Sequence, residues 1–418
     1  MNVRFAFIVG VAVAVALGGC SQSTAPTSSS SSSSTATGNI IKVGVDFPLS
    51  GADASDGIPS KNGVLLAVAD ANKAHLIPGY TIQADVLDDA VNGVHDPAQG
   101  VKNIQSFAND AAVVGVVGPF NSNVARAEIP QSNSLGIALV SPANTNPTLT
   151  KGPDAAALRS ANPSSITYFR VCTTDDIQGP AGATFAFQKL GKRKAYVIDD
   201  NETYGLGLAN AWAATFTNLG GAILGHDHIT QQQQDFHALL TRVSGTNPDL
   251  VFYGGTTSTG GGLLRKQMGD SALGSITYAG GDGIQDAQFL VDAGSMADNV
   301  YATVASPNAS KMPAAQKFIK DYQAMFGQPV GPYSANSYVA AMVIIHATAA
   351  ALKANGGQMP TRLQVLQQLR GLKNFTSITG TFSFDPNGDT TARIITFYEA
   401  KQGQWVFVTQ QNFASLGK

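Results

Sequence analysis

The chain has 418 residues, of which 44% are hydrophobic and only 13% charged, and its 26 basic and 28 acidic side chains leave a formal net charge of −2. That length exceeds what a single hydrophobic core usually serves, so two domains are expected. A near-neutral balance with no basic tract argues against a nucleic-acid-binding protein.

Arg4 precedes an apolar run over residues 5–19, too short to span a bilayer comfortably, which takes about 20 residues. The run ends Leu17-Gly18-Gly19-Cys20, which resembles a lipobox: small residues for the peptidase, then a cysteine for diacylglycerol. Residues 1–20 are therefore expected to be a lipoprotein signal peptide, with Cys20 lipidated. Residues 21–39, which hold an unbroken serine run from 28 to 34, cannot bury apolar surface and read as a flexible tether. The order of anchor, tether and body implies an extracytoplasmic protein held to the membrane by lipid alone. With Cys20 modified, Cys172 has no partner for an intramolecular disulfide. It follows Tyr168-Phe169-Arg170-Val171, an expected strand, and reads as a buried small hydrophobe.

From residue 40 the pattern alternates. Strands are expected at 41–47 and 80–87, and helices at 57–74, with Val64, Leu65, Val68 and Ala71 on one stripe, and at 97–109, with proline near its first turn. The run Val113-Val114-Gly115-Val116-Val117 is short and β-branched, hence a buried strand. Gly118-Pro119-Phe120-Asn121-Ser122-Asn123 then turns into a helix over 124–134, and a second buried strand over 136–140 ends in Ser141-Pro142-Ala143-Asn144-Thr145. A second series follows, with strands at 195–198, 222–224, 250–253 and 276–279 and helices at 206–219, 235–243 and 262–268. Repeated βαβ units imply two α/β lobes, each with its own largely parallel sheet. Helices at 314–326, 337–353 and 362–369 look too few for a third domain, and a closing hairpin is expected at 394–399 and 404–408.

Both turns after 117 and 140 lie at the carboxyl ends of strands, where open α/β sheets bind ligands. Ser122 stands where a helix begins, so its hydroxyl and the free N–H groups there favour an anion. Thr145 and the backbone N–H groups of Ala143 and Thr145 can converge on the same oxyanion; the alternative is that Ser122 and Thr145 only cap and turn the chain. Asp282 sits among glycines at a strand end of the second lobe, approachable by a ligand or else a plain turn aspartate.

Other patterns are weaker. Tyr204-Gly205-Leu206-Gly207 follows a strand, but Asn210 replaces the third glycine of a dinucleotide fingerprint. No Gly-x-Ser-x-Gly elbow occurs, and no cofactor is expected. Asp385 to Asp389 has calcium-loop spacing at three positions only and reads as a turn. His226 and His228 would share a strand face, yet spacing places no third metal ligand. Asp88-Asp89 and Asp199-Asp200 read as caps and solvated loop residues.

Taken with Lys42-Val43-Gly44-Val45, Pro48-Leu49-Ser50-Gly51 and Asp176-Ile177-Gln178-Gly179, these motifs resemble the substrate-binding proteins of branched-chain amino acid ABC importers, over nearly the whole body. The resemblance implies the type I periplasmic binding fold: two doubly wound α/β lobes joined by a three-strand hinge. Lobe one would be 40–171 plus 306–381, and lobe two 172–305 plus 382–418. It implies carboxylate contacts at Ser122, Ala143 and Thr145, an ammonium contact at Asp282 and an aromatic contact at Tyr204. Asp56 and Thr256 stand where leucine binders carry aromatics, and Asn121 where they carry a cysteine, so the pocket is more polar. The implied function is a non-enzymatic, monomeric receptor that binds an amino acid or similar small polar solute by hinge closure and delivers it to permease and ATPase subunits. A ligand-sensing domain for a signalling partner, or a binder of urea, short amides or aromatic acids, is the alternative.

Overall fold

The computed structural model describes residues 39–413. The expected signal peptide, Cys20 and the expected tether up to residue 38 lie outside the described residues; Asn39 already opens the first strand.

The first sheet alternates with helices in chain order: β1 (Asn39–Phe47), α1 (Ala54–Lys73), β2 (Tyr80–Asp88), a short hairpin β3 (Ala90–Val91) and β4 (Val94–His95), α2 (Pro97–Asn109), β5 (Val113–Val117), α3 (Ser122–Leu135), β6 (Leu139–Ser141), α4 (Gly152–Leu158) and β7 (Tyr168–Arg170). Its strand order is β2-β1-β5-β6-β7, parallel throughout. All five residues of β5 are buried, as a strand covered on both faces requires. Helix α1 begins three residues earlier than its apolar stripe indicates, because a tight turn over Gly51–Asp53 runs straight into it.

The second series is α5 (Asp175–Thr184), β8 (Lys194–Asp199), α6 (Thr203–Asn218), β9 (Ala222–His228), α7 (His237–Gly245), β10 (Leu250–Gly254), α8 (Gly261–Met268), β11 (Thr277–Gly280), α9 (Ala287–Ala293) and β12 (Val300–Val304). Helices α10 (Gln316–Phe326), α11 (Ser334–Ala354) and α12 (Arg362–Arg370) follow, then hairpins β13 (Phe375–Ser377) with β14 (Gly380–Phe382) and β15 (Ile394–Lys401) with β16 (Gln404–Asn412). The second sheet runs β16-β15-β12-β11-β10-β8-β9, its last hairpin antiparallel to β12. The expected βαβ alternation and closing hairpin are both present, in the type I periplasmic binding fold.

The late helices return to the first sheet. Val339, Ile344 and Leu352 of α11 and Val365 and Leu369 of α12 share one core with Val43, Val114 and Val140. Helix α11 is long and apolar enough to cross a membrane, yet most of it is buried in that core. Phe382 and Phe384 join the same core. Three segments cross between the sheets side by side. The Thr173 amide donates to the Ala305 carbonyl at 2.9 Å, and the Ile394 amide to Thr173 Oγ1 at 3.1 Å.

Helices α1 and α11 touch backbone to backbone at Gly63, where an added Cβ would lie 2.2 Å from the Ser334 carbonyl oxygen. Backbone cannot yield as a side chain does, so Gly63→Ala is expected to destabilise the fold by about 1–3 kcal/mol despite its better helix propensity. Gly245→Ala, where a Cβ meets nothing within 4 Å, serves as the control. Urea denaturation of both variants checks this; equal stability would contradict the close approach.

Candidate functional site

The turns after β5 and β6 and those after β10 and β11 face one another around a small cavity of about 20 Å³, roughly the space of a single water. Admitting a larger solute therefore requires its walls to part. Phe120, Ser122 and Ala143 line it from the first sheet, and Glu202, Tyr204, Thr256 and Asp282 from the second.

Asp282 is nearly buried and ringed by donors. The Tyr204 hydroxyl donates to Oδ1 at 2.9 Å, as does the Gln178 amide, and the Tyr333 hydroxyl donates to Oδ2 at 2.8 Å. Tyr204 Oη in turn accepts the Gly283 amide at 3.0 Å. Burial raises the Asp282 pKa, and the three donors oppose that rise. Its own backbone amide opposes the rise as well, so only neutral donors hold the carboxylate in place. Asp56 approaches from the start of α1. Its carboxyl is held well above the usual range, by burial first and then by the charges of Asp286, Asp53 and Asp282.

The opposite wall is arranged differently from the expectation. Ser122 is the first residue of α3, but its Oγ accepts a long 3.5 Å contact from the Asn146 amide. The Ala143 amide is turned to Ser141 Oγ at 3.2 Å. Thr145 is fully buried and does not line the cavity; its hydroxyl faces the Asp175 carboxyl and opposes the rise of that group's pKa. Thr256 lines the cavity, with its hydroxyl engaged by Ser258 at 2.8 Å. The structure thus gathers Ser122, Ala143, Tyr204, Thr256 and Asp282 around one space, with Thr145 behind the wall and Asp56 beside it.

Residues 40–404 match the periplasmic binding protein family. The chain belongs to this family. A Leu/Ile/Val-binding protein of Rhizobium johnstonii is 31% identical over 369 residues, covering 88% of this chain and 93% of the relative. A leucine-binding protein of Thermotoga maritima superposes with a TM-score of 0.77 at 24% identity, over 90% of this chain and all of the other. A solute-binding protein of R. palustris in complex with benzoate gives 0.74 at 20% identity, over 89% and 96% of the two chains. The resemblance read from the sequence is borne out, and with it an extracytoplasmic, small-molecule-binding protein associated with ABC transporter components.

In this binding protein a polar clasp spans the cleft beside the cavity. His95, buried on β4, meets Asp53 through Nδ1 at 2.8 Å and Glu202 of the second sheet's side through Nε2 at 2.9 Å. Asn123 donates to the same Glu202 oxygen at 2.9 Å, and the Asn146 amide crosses to the Thr203 carbonyl at 2.5 Å. Burial, the largest influence on His95, disfavours its charge, but Asp53 and Glu202 outweigh it and hold the pKa well above the ordinary value.

Sequence reasoning missed Gln178, Glu202 and Tyr333. Gln178 lies in a motif that carried the resemblance, and Tyr333 stands at the entry of α11, but no spacing ties either to Asp282. Two aspartate pairs depart from the solvated-loop expectation. Asp88 does bond turn amides, those of Leu49 and Ala90, whereas Asp89 is wholly buried with both oxygens unpartnered. Asp200 does bond the Glu202 amide at 3.0 Å from a nearly buried position, but Asp199 is fully buried against two histidines.

Burial pushes several carboxyls upward: Asp46 and Asp286 to about 6, Asp200 to about 7, and Asp89, Glu128 and Asp175 well above their usual range. For Asp46 the shift corresponds to about 3 kcal/mol when ionised. Raised carboxyls and the raised His95 act in one direction: the native state holds more protons than the unfolded chain, so their stabilisation is lost as pH rises through the folded values. Asp110, Asp176 and Asp199 are shifted down, and their contribution fades only as pH falls below the ordinary carboxylate range. The melting temperature is therefore expected to rise as pH is lowered from 8 to 6. Calorimetry showing a flat or falling profile would contradict this.

Proposed function

We propose that this chain is the solute receptor of an ABC importer and holds a small amine-bearing ligand, an amino acid, between its two sheets. The observation that carries the reading is Asp282 facing the start of α3 across one small cavity. Its carboxylate is held only by neutral donors, and an ammonium would compensate a charge that burial otherwise penalises. The helix start at Ser122 suits the ligand's carboxylate, once Ser122 Oγ and the Ala143 amide exchange their present weak partners for it. Tyr204 flanks the ammonium, Thr256 the ligand's side chain, and Thr145 acts from behind. Asp56 adds a second acid near Asp282, which favours a ligand with a polar or basic side chain over a branched aliphatic one.

Residues 40–171 with 306–381 would form one lobe and 172–305 with 382–418 the other, save that Phe382 and Phe384 pack in the first lobe's core and so move the last boundary beyond them, the lobes turning about the crossing segments. The small cavity corresponds to a closed state that permease and ATPase subunits would recognise. Cys20 would carry a lipid, the chain's only membrane contact, with the body a monomer. The chain itself would catalyse nothing, since importers place their chemistry in the ATPase. An aromatic acid is the second reading, favoured by the Phe120 and Tyr333 rings, whose centroids lie 5.8 Å apart in an edge-on pair at this wall.

A thermal-shift screen over amino acids, amides and aromatic acids tests the class, because a ligand at 100 times its dissociation constant adds about 2.7 kcal/mol. Stabilisation by amino acids is expected, and by aromatic acids alone would favour the second reading. For the best amino acid, Asp282→Asn should cost about 2–5 kcal/mol of binding by calorimetry. Unchanged affinity would remove Asp282 from the ligand's contacts.

A further inference from the structure

A second cluster of chemistry lies at the other side of the second sheet. Strand β9 is the edge strand, and its alternation puts His226 and His228 on one face. The parallel register sets His228 beside Asp199, at the end of β8, and His226 beside Val197. The Asp199 carboxylate therefore reaches between the two imidazoles. Its Oδ2 lies 2.5 Å from His226 Nε2 and its Oδ1 2.7 Å from His228 Nδ1. The three ligand atoms lie within 4.8 Å of one another. The Asn201 amide donates to Oδ1 at 2.8 Å and fixes the carboxylate's orientation, as outer-shell donors do at metal centres. Asp199 is fully buried, whereas the His226 and His228 side chains are 25% and 50% exposed, so one side of the cluster opens to water.

We propose that Asp199, His226 and His228 form a binding site for a first-row divalent transition ion, Zn²⁺ foremost, with water completing its coordination. Two imidazoles and one carboxylate make a borderline donor set that suits zinc, cobalt, nickel or copper. Calcium and magnesium ask for oxygen ligands throughout and six or more of them. Metal–ligand distances of about 2.0–2.2 Å require the carboxylate and rings to separate by under roughly 1 Å, which side-chain rotation supplies, the ion taking the place of the bridging protons. Asp227, between the two histidines in sequence, points to the other face and is engaged by the Tyr196 hydroxyl at 2.8 Å and by Arg242 at 3.4 Å, so it does not compete.

Titration of the full, chelator-treated chain with ZnCl₂ by calorimetry, and with Co²⁺ by visible absorption, tests the site. One saturable equivalent is expected, with a cobalt spectrum of nitrogen and oxygen ligation. His226→Ala and His228→Ala, both at partly exposed positions, should each weaken zinc binding at least tenfold. His237→Ala removes a surface histidine paired with Asp235 at 2.7 Å and should leave the binding unchanged. Absence of saturable binding, survival of binding in both β9 variants, or its loss in His237→Ala would each overturn the assignment.

Discussion

A guanidinium with no exposed surface holds the ligand-side loops in place. Arg170, the last residue of β7, directs Nε to Asp389 at 2.6 Å and one terminal nitrogen to the carbonyls of Asn144 and Asn146 at 2.9 and 2.7 Å. The other terminal nitrogen meets Thr150 Oγ1. Burial alone would disfavour this charge, but Asp389 more than restores it, and the Arg170 pKa is raised. Removing one partner from such a buried pair typically costs about 3–5 kcal/mol, since the other is left uncompensated. The pair thereby fixes two things at once: the course of the loop after β6, which carries Ala143 and Thr145, and the turn at Asp385 to Asp389 that precedes the last crossing between the sheets.

On that scaffold the cavity achieves polarity through neutral donors. Three neutral donors surround Asp282, and among the described residues no lysine or arginine is bonded to it. A fixed arginine would have neutralised the carboxylate permanently and left little for a solute to satisfy. Neutral donors orient it while keeping its charge available. Asp56, Asp175 and Asp286 nearby are likewise kept from ionising freely by burial first and by neighbouring carboxylates second. The wall is acidic in composition, yet burial makes it costly to charge.

The parts of this arrangement that sequence revealed are those that are local. The buried valine run of β5, the helix start at Ser122 and the glycine-flanked Asp282 each sit within a few residues of the feature that explains them. The second sheet's series and the closing hairpin were legible for the same reason. What stayed hidden depends on contacts between distant segments. Gln178 and Tyr333 reach Asp282 from 104 and 51 residues away, and no periodicity encodes that meeting. Asp199 joins His226 and His228 only because β8 and β9 pair in one register. Asp89 read as a solvated loop residue because it stands at the end of an expected strand, whereas the fold closes over it.

The three crossing segments have a mechanical consequence. Thr173 stitches them together through its amide to Ala305 and its hydroxyl to Ile394, like leaves sewn into the spine of a book. Such a spine yields to bending and twisting but resists one half sliding along the other, because sliding would tear all the stitches at once. With the halves as they stand, paired letters meet across the gutter: His95 and Asn123 find Glu202, and Tyr333 finds Asp282.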